Sequence, residues 1–318
     1  MKLDLYLNSK MVATTVERSR GRQVVLEYTD QVDRDHPPET ALLSCSLPTP
    51  GPSRPAATRA FLEGLLPEGE ALCTIASTTI GARLDLEAIA PAQRVFVTER
   101  FDRIVDGSSP VKRLHQEDMC QALGLRPRDK YQIGRPSQNM ARLLRRWATD
   151  PARSVRELFS QLVFRAVVGD EDGHGKNYGL LLEGGKVAVA PLYDCLSTQI
   201  YPSLAGRMGT QLGRQVNLAA VDLTALVEEG VACGIGESEA TQLVDTLTDR
   251  ILAAMQAISP PSVDVRALEC VLGTIGLRVR RLREGKPMGV PPGKWLIPTA
   301  NRAPGGTLDQ NGRGSNRG

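Results

Sequence analysis

The sequence predicts an α+β fold, with a small mixed N-terminal part followed by a larger, mainly helical C-terminal part. Three observations predict it. Leu3–Leu7 and Gln23–Tyr28 are short runs of strand formers near the start. A long helical pattern over Ser154–Val168 is followed by a hairpin pattern over Tyr178–Ala190 with a glycine turn. Three further helical patterns occupy most of the chain from there to Gly285. Apolar spacing of 3.6 residues marks the helices, and alternation or β-branched enrichment marks the strands.

The elements follow in order. Leu3, Leu5 and Leu7 alternate with polar residues, and Gln23–Tyr28 is rich in β formers. Residues 47–57 (LPTPGPSRPAA) are proline-rich and are expected to be loop. Phe61–Glu70 is a short apolar element stopped by Pro67. Residues 81–93 predict a helix fragment that Pro91 ends, and Arg94–Arg100 predicts a strand. His115–Leu123, Gln138–Trp147 and Ser154–Val168 predict helices. In the last of these, Val155, Leu158, Phe159, Leu162, Val163, Ala166 and Val167 share one face. Ser154 with Glu157 has the spacing of a capping box, and Gly169 is a natural stop. Tyr178–Leu182 and Lys186–Ala190 flank Glu183-Gly184-Gly185, a hairpin signal. Helical patterns recur near 222–232, 238–257 and 263–284. Beyond Gly285 the chain is rich in glycine, proline, asparagine and arginine, and is expected to be disordered.

Composition excludes several classes of function. The 318 residues suffice for one large domain or two ordinary ones. Hydrophobic content of 41% with 24% charged residues fits a soluble globular chain. No apolar run is long enough to span a membrane, and MKLDLYLNSK is not a secretory leader, so a cytoplasmic protein is expected. Cys45, Cys73, Cys120, Cys195, Cys233 and Cys270 are scattered singly and read as reduced structural thiols. A net charge of +3 is too weak to argue for nucleic acid. The run Arg278–Arg283 is locally basic and is expected to form the solvated face of a last helix.

The chemistry concentrates in Gly169-Asp170-Glu171-Asp172-Gly173-His174-Gly175-Lys176-Asn177, between the long helix and the hairpin, and in Pro191-Leu192-Tyr193-Asp194 just past it. Phosphoryl transfer needs an aspartate that takes the nucleophile's proton, an asparagine a few residues on that holds Mg²⁺, and a second aspartate that bridges this metal to the phosphates. Asp172 and Asn177 have the Asp-x-x-x-x-Asn spacing, and Asp194 is placed for the third role. An Asp/Gly turn between helix and strand, with Asp194 merely ending a strand, accounts for the same spacing.

The combination of segments resembles the HipA-like toxin kinases. Asp172–Asn177 followed by Pro191–Asp194 is similar to their catalytic loop and metal segment. Glu99-Arg100-Phe101-Asp102-Arg103 resembles their hinge. His115–Gln121, with Lys130-Tyr131 after it, resembles the helix that follows, and Phe61–Glu70 resembles a signature of their N-terminal lobe.

That resemblance implies a protein-kinase-like fold: a truncated N-terminal lobe over 1–93, a kinase lobe over 94–285 and a tail over 286–318. It implies Asp172 as catalytic base, and Asn177 and Asp194 as ligands of Mg²⁺ bound with ATP. Gly173 and His174 would lie beside the phosphates. Glu99, Arg100 and Phe101 would hold the adenine edge, and Tyr193 would also face the nucleotide. Simpler readings stay open: a strand-end ion pair for Glu99 and Arg103, a core role for Phe101, and a loop histidine bonding its own turn for His174. The family implies a serine/threonine kinase toxin that phosphorylates a protein such as an aminoacyl-tRNA synthetase. It pairs with a HipB-like helix-turn-helix antitoxin, and through that antitoxin with operator DNA.

One departure from the family is large. Only residues 71–98 join the Phe-Leu-Glu-Gly-Leu-Leu-Pro-Glu-Gly segment to the hinge, where such kinases carry a phosphate-binding loop and a strand lysine. No lysine lies between Lys10 and Lys112, and no G-x-G-x-x-G precedes the hinge. Arg83 and Arg94 are the cations nearest in sequence to the missing lysine. The expectation is impaired turnover, or a non-catalytic module that binds the antitoxin, or a deleted remnant.

Overall fold

The computed structural model describes residues 3–7, 10–18, 23–65, 100–104, 112–201, 207–258 and 265–289. The helix expected over 81–93, the strand over Arg94–Glu99, Cys73, Arg83, residues 66–70 and residues 290–318 lie outside the described residues.

The N-terminal part is a meander of β1 (Asp4–Leu7), β2 (Lys10–Arg18) and β3 (Gln23–Tyr28), all antiparallel. β2 is an addition to the sequence reading. Its apolar residues face a satellite core in which Val12 and Ala13 meet Leu26, Tyr28, Leu47 and Phe61. Helix α1 (Asp30–Asp35) is capped by the Thr29 side chain, which accepts from Val32 N. Helix α2 (Pro55–Gly64) begins inside the segment expected to be loop. Its Pro55 occupies the first turn, where the missing N–H has no intrahelical partner to lose, so a proline starts the helix that a proline-rich reading excludes.

A two-stranded ladder of β4 (Arg103–Ile104) and β5 (Lys112–Arg113) leads to a second sheet. There β6 (His115–Asp118), β7 (Gly179–Glu183) and β8 (Lys186–Val189) lie antiparallel in that order. His115–Leu123 is therefore not one helix. Glu117 pairs with Leu180 and Asp118 with Gly179, more than sixty residues on. Only then does Asp118 cap the short helix α3 (Met119–Ala122), in a reciprocal capping box with Gln121. The β7–β8 hairpin turns through Gly184 and Gly185, both at positive φ.

Helices α4 (Pro136–Trp147), α5 (Pro151–Val168), α6 (Leu223–Ala232), α7 (Glu237–Gln256) and α8 (Val265–Arg283) form the rest. α5 is the central one, packing on α4, α7, α8 and β8. Its Leu158, Phe159, Leu162, Val163, Ala166 and Val167 are all at most 2% exposed. The cap at its start is Asp150, accepting from Arg153 N, with Pro151 in the first turn. Ser154 lies one turn inside and is buried, so the Ser154–Glu157 capping box does not form. Gly169 ends the helix at φ 89°, and a Cβ there would meet Arg278 Nη1 at 2.1 Å. That contact also corrects the expected solvated basic face. Arg278 follows Ile275 and precedes Val279 and Leu282 on the buried stripe of α8, and is itself 1% exposed. Burial lowers its pKa to about 10. Arg280 and Arg283 are exposed. Met288, just past α8, is buried, with its N–H donating to Val221 O at 2.7 Å.

A buried carboxyl joins the two parts. Glu117 is 3% exposed, and its Oε1 accepts from Cys45 N at 2.9 Å. Beside it His115 Nε2 bonds Leu43 O at 2.7 Å. Burial pushes the Glu117 pKa up from 4.5 to about 7. A raised carboxyl pKa contributes stability that is whole below the unfolded value and is lost as pH rises through the folded one. Relative to Glu117→Gln, the wild type is predicted to lose about 3 kcal/mol of stability as pH rises from 4.5 to 7. Urea unfolding of both proteins across that window checks this, and parallel stability curves would contradict it.

Candidate active site

The site begins where α5 stops. With Gly169 left-handed, the chain turns through Asp170-Glu171-Asp172-Gly173-His174 into a single 3₁₀ turn, Gly175–Asn177, and then into β7. Arg165, in the last turn of α5 and 2% exposed, gathers this loop. Its Nη1 pairs with Asp170 Oδ2 and donates to Asp194 O at 2.9 Å. Its Nη2 donates to Asn177 O at 2.8 Å and to Tyr193 O at 2.6 Å. One guanidinium thus ties the loop before β7 to the loop after β8, and its plane lies 5.1 Å from the centre of the Tyr178 ring.

Within the loop, Asp170 Oδ1 accepts from Asp172 N at 3.0 Å. Asn177 is 3% exposed and donates from Nδ2 to Asp172 O at 3.0 Å, which turns its amide oxygen the other way. The Asp172 carboxylate is exposed, and its Oδ1 accepts from Tyr131 O–H at 2.6 Å. Gly173 has no room for a side chain, since a Cβ would come within 3.1 Å of Arg165 Cδ and 3.2 Å of the Tyr178 hydroxyl. His174 is 5% exposed, stands edge-on to Tyr131 at 5.0 Å, and leaves Nδ1 without a partner. Burial and the nearby Lys130 charge hold its pKa below the ordinary histidine value, while Asp172 and Asp194 pull the other way. His174 therefore feels both carboxylates.

A cleft of about 950 Å³ opens on the other side of the hairpin loop. Phe101, Tyr193, Asp194, Asp118, Lys176 and Arg100 line it. Phe101 and Tyr193 pack with ring centroids 5.8 Å apart. Asp194 is exposed and sits at φ 49°, a left-handed conformation that a non-glycine residue adopts at a cost. Lys176 reaches Asp118 Oδ2 at 3.1 Å. Arg100 forks onto Asp102 at 2.7 and 2.6 Å, and Arg103 pairs with Asp102 as well, so the hinge cations are held by a carboxylate within the hinge itself.

Of the residues singled out in the sequence, Arg100, Phe101, Tyr193 and Asp194 line this cleft. Asp172, Gly173, His174 and Asn177 do not line it, and are joined to it through Arg165 and Lys176. Glu99 lies outside the described residues. Among the described residues no group of three or more His, Cys, Asp or Glu side chains could hold a metal ion. The Asn177 amide oxygen and the exposed Asp194 carboxylate are oxygen donors of the kind Mg²⁺ takes, one or two from protein with the rest from water and phosphate. Arg165 lies outside the segments that the sequence reading assigns to the site, and Lys176, Asp118 and Tyr131 stand in those segments without a role of their own. Arg165 has a signal: it interrupts the apolar face of α5 three residues after Leu162, where a charge is buried only if it is paired.

Comparison with known proteins gives the family and the fold. The family described as "HipA-like C-terminal domain" matches residues 55–255. Y4mE of Sinorhizobium fredii, which carries a provisional kinase name, is 34% identical over 226 residues, 68% of this chain and 53% of the relative. The serine/threonine-protein kinase toxin HipA of Shewanella oneidensis is 30% identical over 121 residues, 34% of this chain and 28% of the relative. The chain thus spans about half the length of the first relative and less of the second. Among solved structures, the complex of HipA, HipB and operator DNA from Shewanella oneidensis matches with a TM-score of 0.69 at 16% identity. That match covers 88% of this chain and 99% of the matched one, and gives the fold as HipA-like. On the family match over most of its length, the chain belongs to the HipA-like C-terminal domain family.

Proposed function

We propose that the chain is a HipA-like serine/threonine protein kinase module that uses ATP with Mg²⁺ and turns over slowly. The observation that carries this reading is the Arg165 clasp, which holds the Asp172–Asn177 loop and the Tyr193-Asp194 segment in one unit. Asp172 takes the proton of a serine or threonine hydroxyl as its oxygen bonds the γ-phosphorus and the bond to the β–γ bridging oxygen breaks, releasing ADP. Tyr131 orients the carboxylate for that transfer through its hydrogen bond. Asn177 and Asp194 hold Mg²⁺, which neutralises phosphate charge when bound. Phe101 and Tyr193 supply an apolar wall for the nucleotide, and His174 and Gly173 lie towards the phosphates.

Residues 1–93 act in this reading as a shortened N-terminal lobe, residues 94–285 as the kinase lobe and residues 286–318 as a tail. A HipB-like antitoxin and, through it, operator DNA are the proposed partners, supported by the composition of the structurally similar complex. The substrate is a protein of the translation apparatus, such as an aminoacyl-tRNA synthetase, and the site of action is the cytoplasm. A second reading rests on one observation, the absence of any lysine between Lys10 and Lys112: a non-catalytic module that docks the antitoxin. Loss of one cation aimed at the phosphates costs on the order of 3 kcal/mol, or about a hundredfold in rate. Lys176 lines the cleft and partly fills the gap, so turnover is slow rather than absent.

Two outcomes are expected. In isothermal titration, ATP binds only with Mg²⁺, and Asp194→Ala removes the metal-dependent part; equal, metal-independent affinity in both proteins would overturn the metal assignment. In phosphate transfer from γ-labelled ATP to protein, the wild type gives a weak signal that Asp172→Ala lowers by at least about a hundredfold. Labelling that is unchanged in the variant would remove Asp172 from the reaction. A folded wild type with no labelling would favour the binding module.

A further inference from the structure

A second hollow of about 410 Å³ lies on the Asp172 side of the loop, walled by Tyr131, Ile133, Arg135, Arg207, Met208 and Val216. We propose that this groove docks the protein substrate and selects an acidic segment beside the serine or threonine that receives the phosphate. The proposal rests on the kinase reading and adds the substrate class to it.

Position is the first argument. Tyr131 donates to Asp172 Oδ1 at 2.6 Å, so the groove starts one hydrogen bond from the proposed base. The opposite wall hangs on the same loop: Gly209 N donates to Glu171 O at 2.7 Å, and Thr210 Oγ1 donates to Gly173 O at 2.6 Å. A peptide lying between the walls carries its hydroxyl to Asp172 without a further element to pass. The nucleotide cleft, lined by Asp194 and Tyr193, shares no lining residue with this groove. The two co-substrates would therefore occupy separate hollows.

Charge is the second argument. Arg135 and Arg207 are exposed, and neither forms an ion pair among the described residues. Other arginines are spoken for, as in Arg18–Glu27, Arg59–Glu63, Arg153–Glu157 and Arg156–Glu239. No aspartate or glutamate lines the groove. The adjoining hollow adds Arg214 and has two carboxylates: Glu229 is buried and engaged with Ser137 Oγ and Gly213 N, and the exposed Glu228 balances part of the added charge there but does not line the groove itself. Two open guanidinium forks on a partly apolar floor suit carboxylates on a peptide, each taken by paired N–H bonds.

Backbone strain is the third. Arg135 sits at φ 48° and ψ 65°, immediately before Pro136, in a region that glycine adopts freely. The strain accompanies a side chain with no bond to the rest of the described protein, as expected of a residue held for a ligand.

The test uses the full chain and fluorescent peptides with a central serine flanked by glutamates, glutamines or lysines. Anisotropy is read without nucleotide, so binding is scored apart from catalysis. The glutamate peptide is expected to bind about tenfold more tightly than the glutamine peptide, with the advantage shrinking as salt rises. The double variant Arg135→Glu/Arg207→Glu, shown folded by its melting curve, is expected to transfer the preference to the lysine peptide. Equal binding of the glutamate and glutamine peptides overturns the proposal, as does a preference that survives charge reversal. Tighter binding of a DNA duplex that displaces the peptide also overturns it, in favour of a nucleic-acid surface. An acidic preference without Asp172-dependent phosphate transfer supports the groove and sinks the kinase reading; transfer that is indifferent to acidic flanks does the reverse.

Discussion

The site depends on one buried cation. Removing Arg165 from water is costly, and that cost is offset only because its planar fork meets the Asp170 carboxylate and three backbone carbonyls from two separate loops. Deleting it would strand Asp170, 5% exposed, as an unpaired buried charge, a loss of about 3–5 kcal/mol. The position is fixed from below by α5, whose apolar face is buried against the neighbouring helices and β8. Arg165 lies one turn before Gly169, so the same helix end that starts the loop also supplies the group that closes it. Core packing and site geometry are in this way one structure.

Much of this is legible from sequence because it is local. The apolar face of α5, its glycine stop, the Gly184-Gly185 turn and the order Asp172, Asn177, Asp194 all show within short windows, whereas the cap is made by Asp150 and not by Ser154. What escaped is long-range. His115–Asp118 has helical neighbours and no strand signature of its own, and its partner β7 lies more than sixty residues away. β2 shows no clear alternation, because its polar residues dilute the pattern that marks β1. In the basic run near the end charge does not mean exposure; Arg278 occupies an apolar register position of α8 and follows its neighbours inward. Arg165 is a second buried cation of this kind, a polar break in an otherwise clean apolar stripe.

The proposed nucleotide side is built from few groups. Phe101, Tyr193 and Lys176 define one wall of a cleft, and Asp194 is held at its edge in a left-handed conformation. Arg100, carried over by resemblance as an adenine contact, spends its fork on Asp102 and acts first as a hinge brace. The described cation at this cleft beside Arg100 is Lys176, which is shared with Asp118. Such sharing lowers the positive field available to a phosphate, which fits slow chemistry better than either full activity or none.

In the proposed kinase Arg165 makes a nucleotide site out of two loops, and Arg165→Lys separates that role from its charge. Lysine keeps the charge near Asp170 and cannot reach all three carbonyls at once. The measurement is the rise in melting temperature on adding ATP with Mg²⁺, for wild type and variant, each with a cooperative transition. The account predicts a clear rise in the wild type and none in Arg165→Lys. An equal rise in both would contradict it.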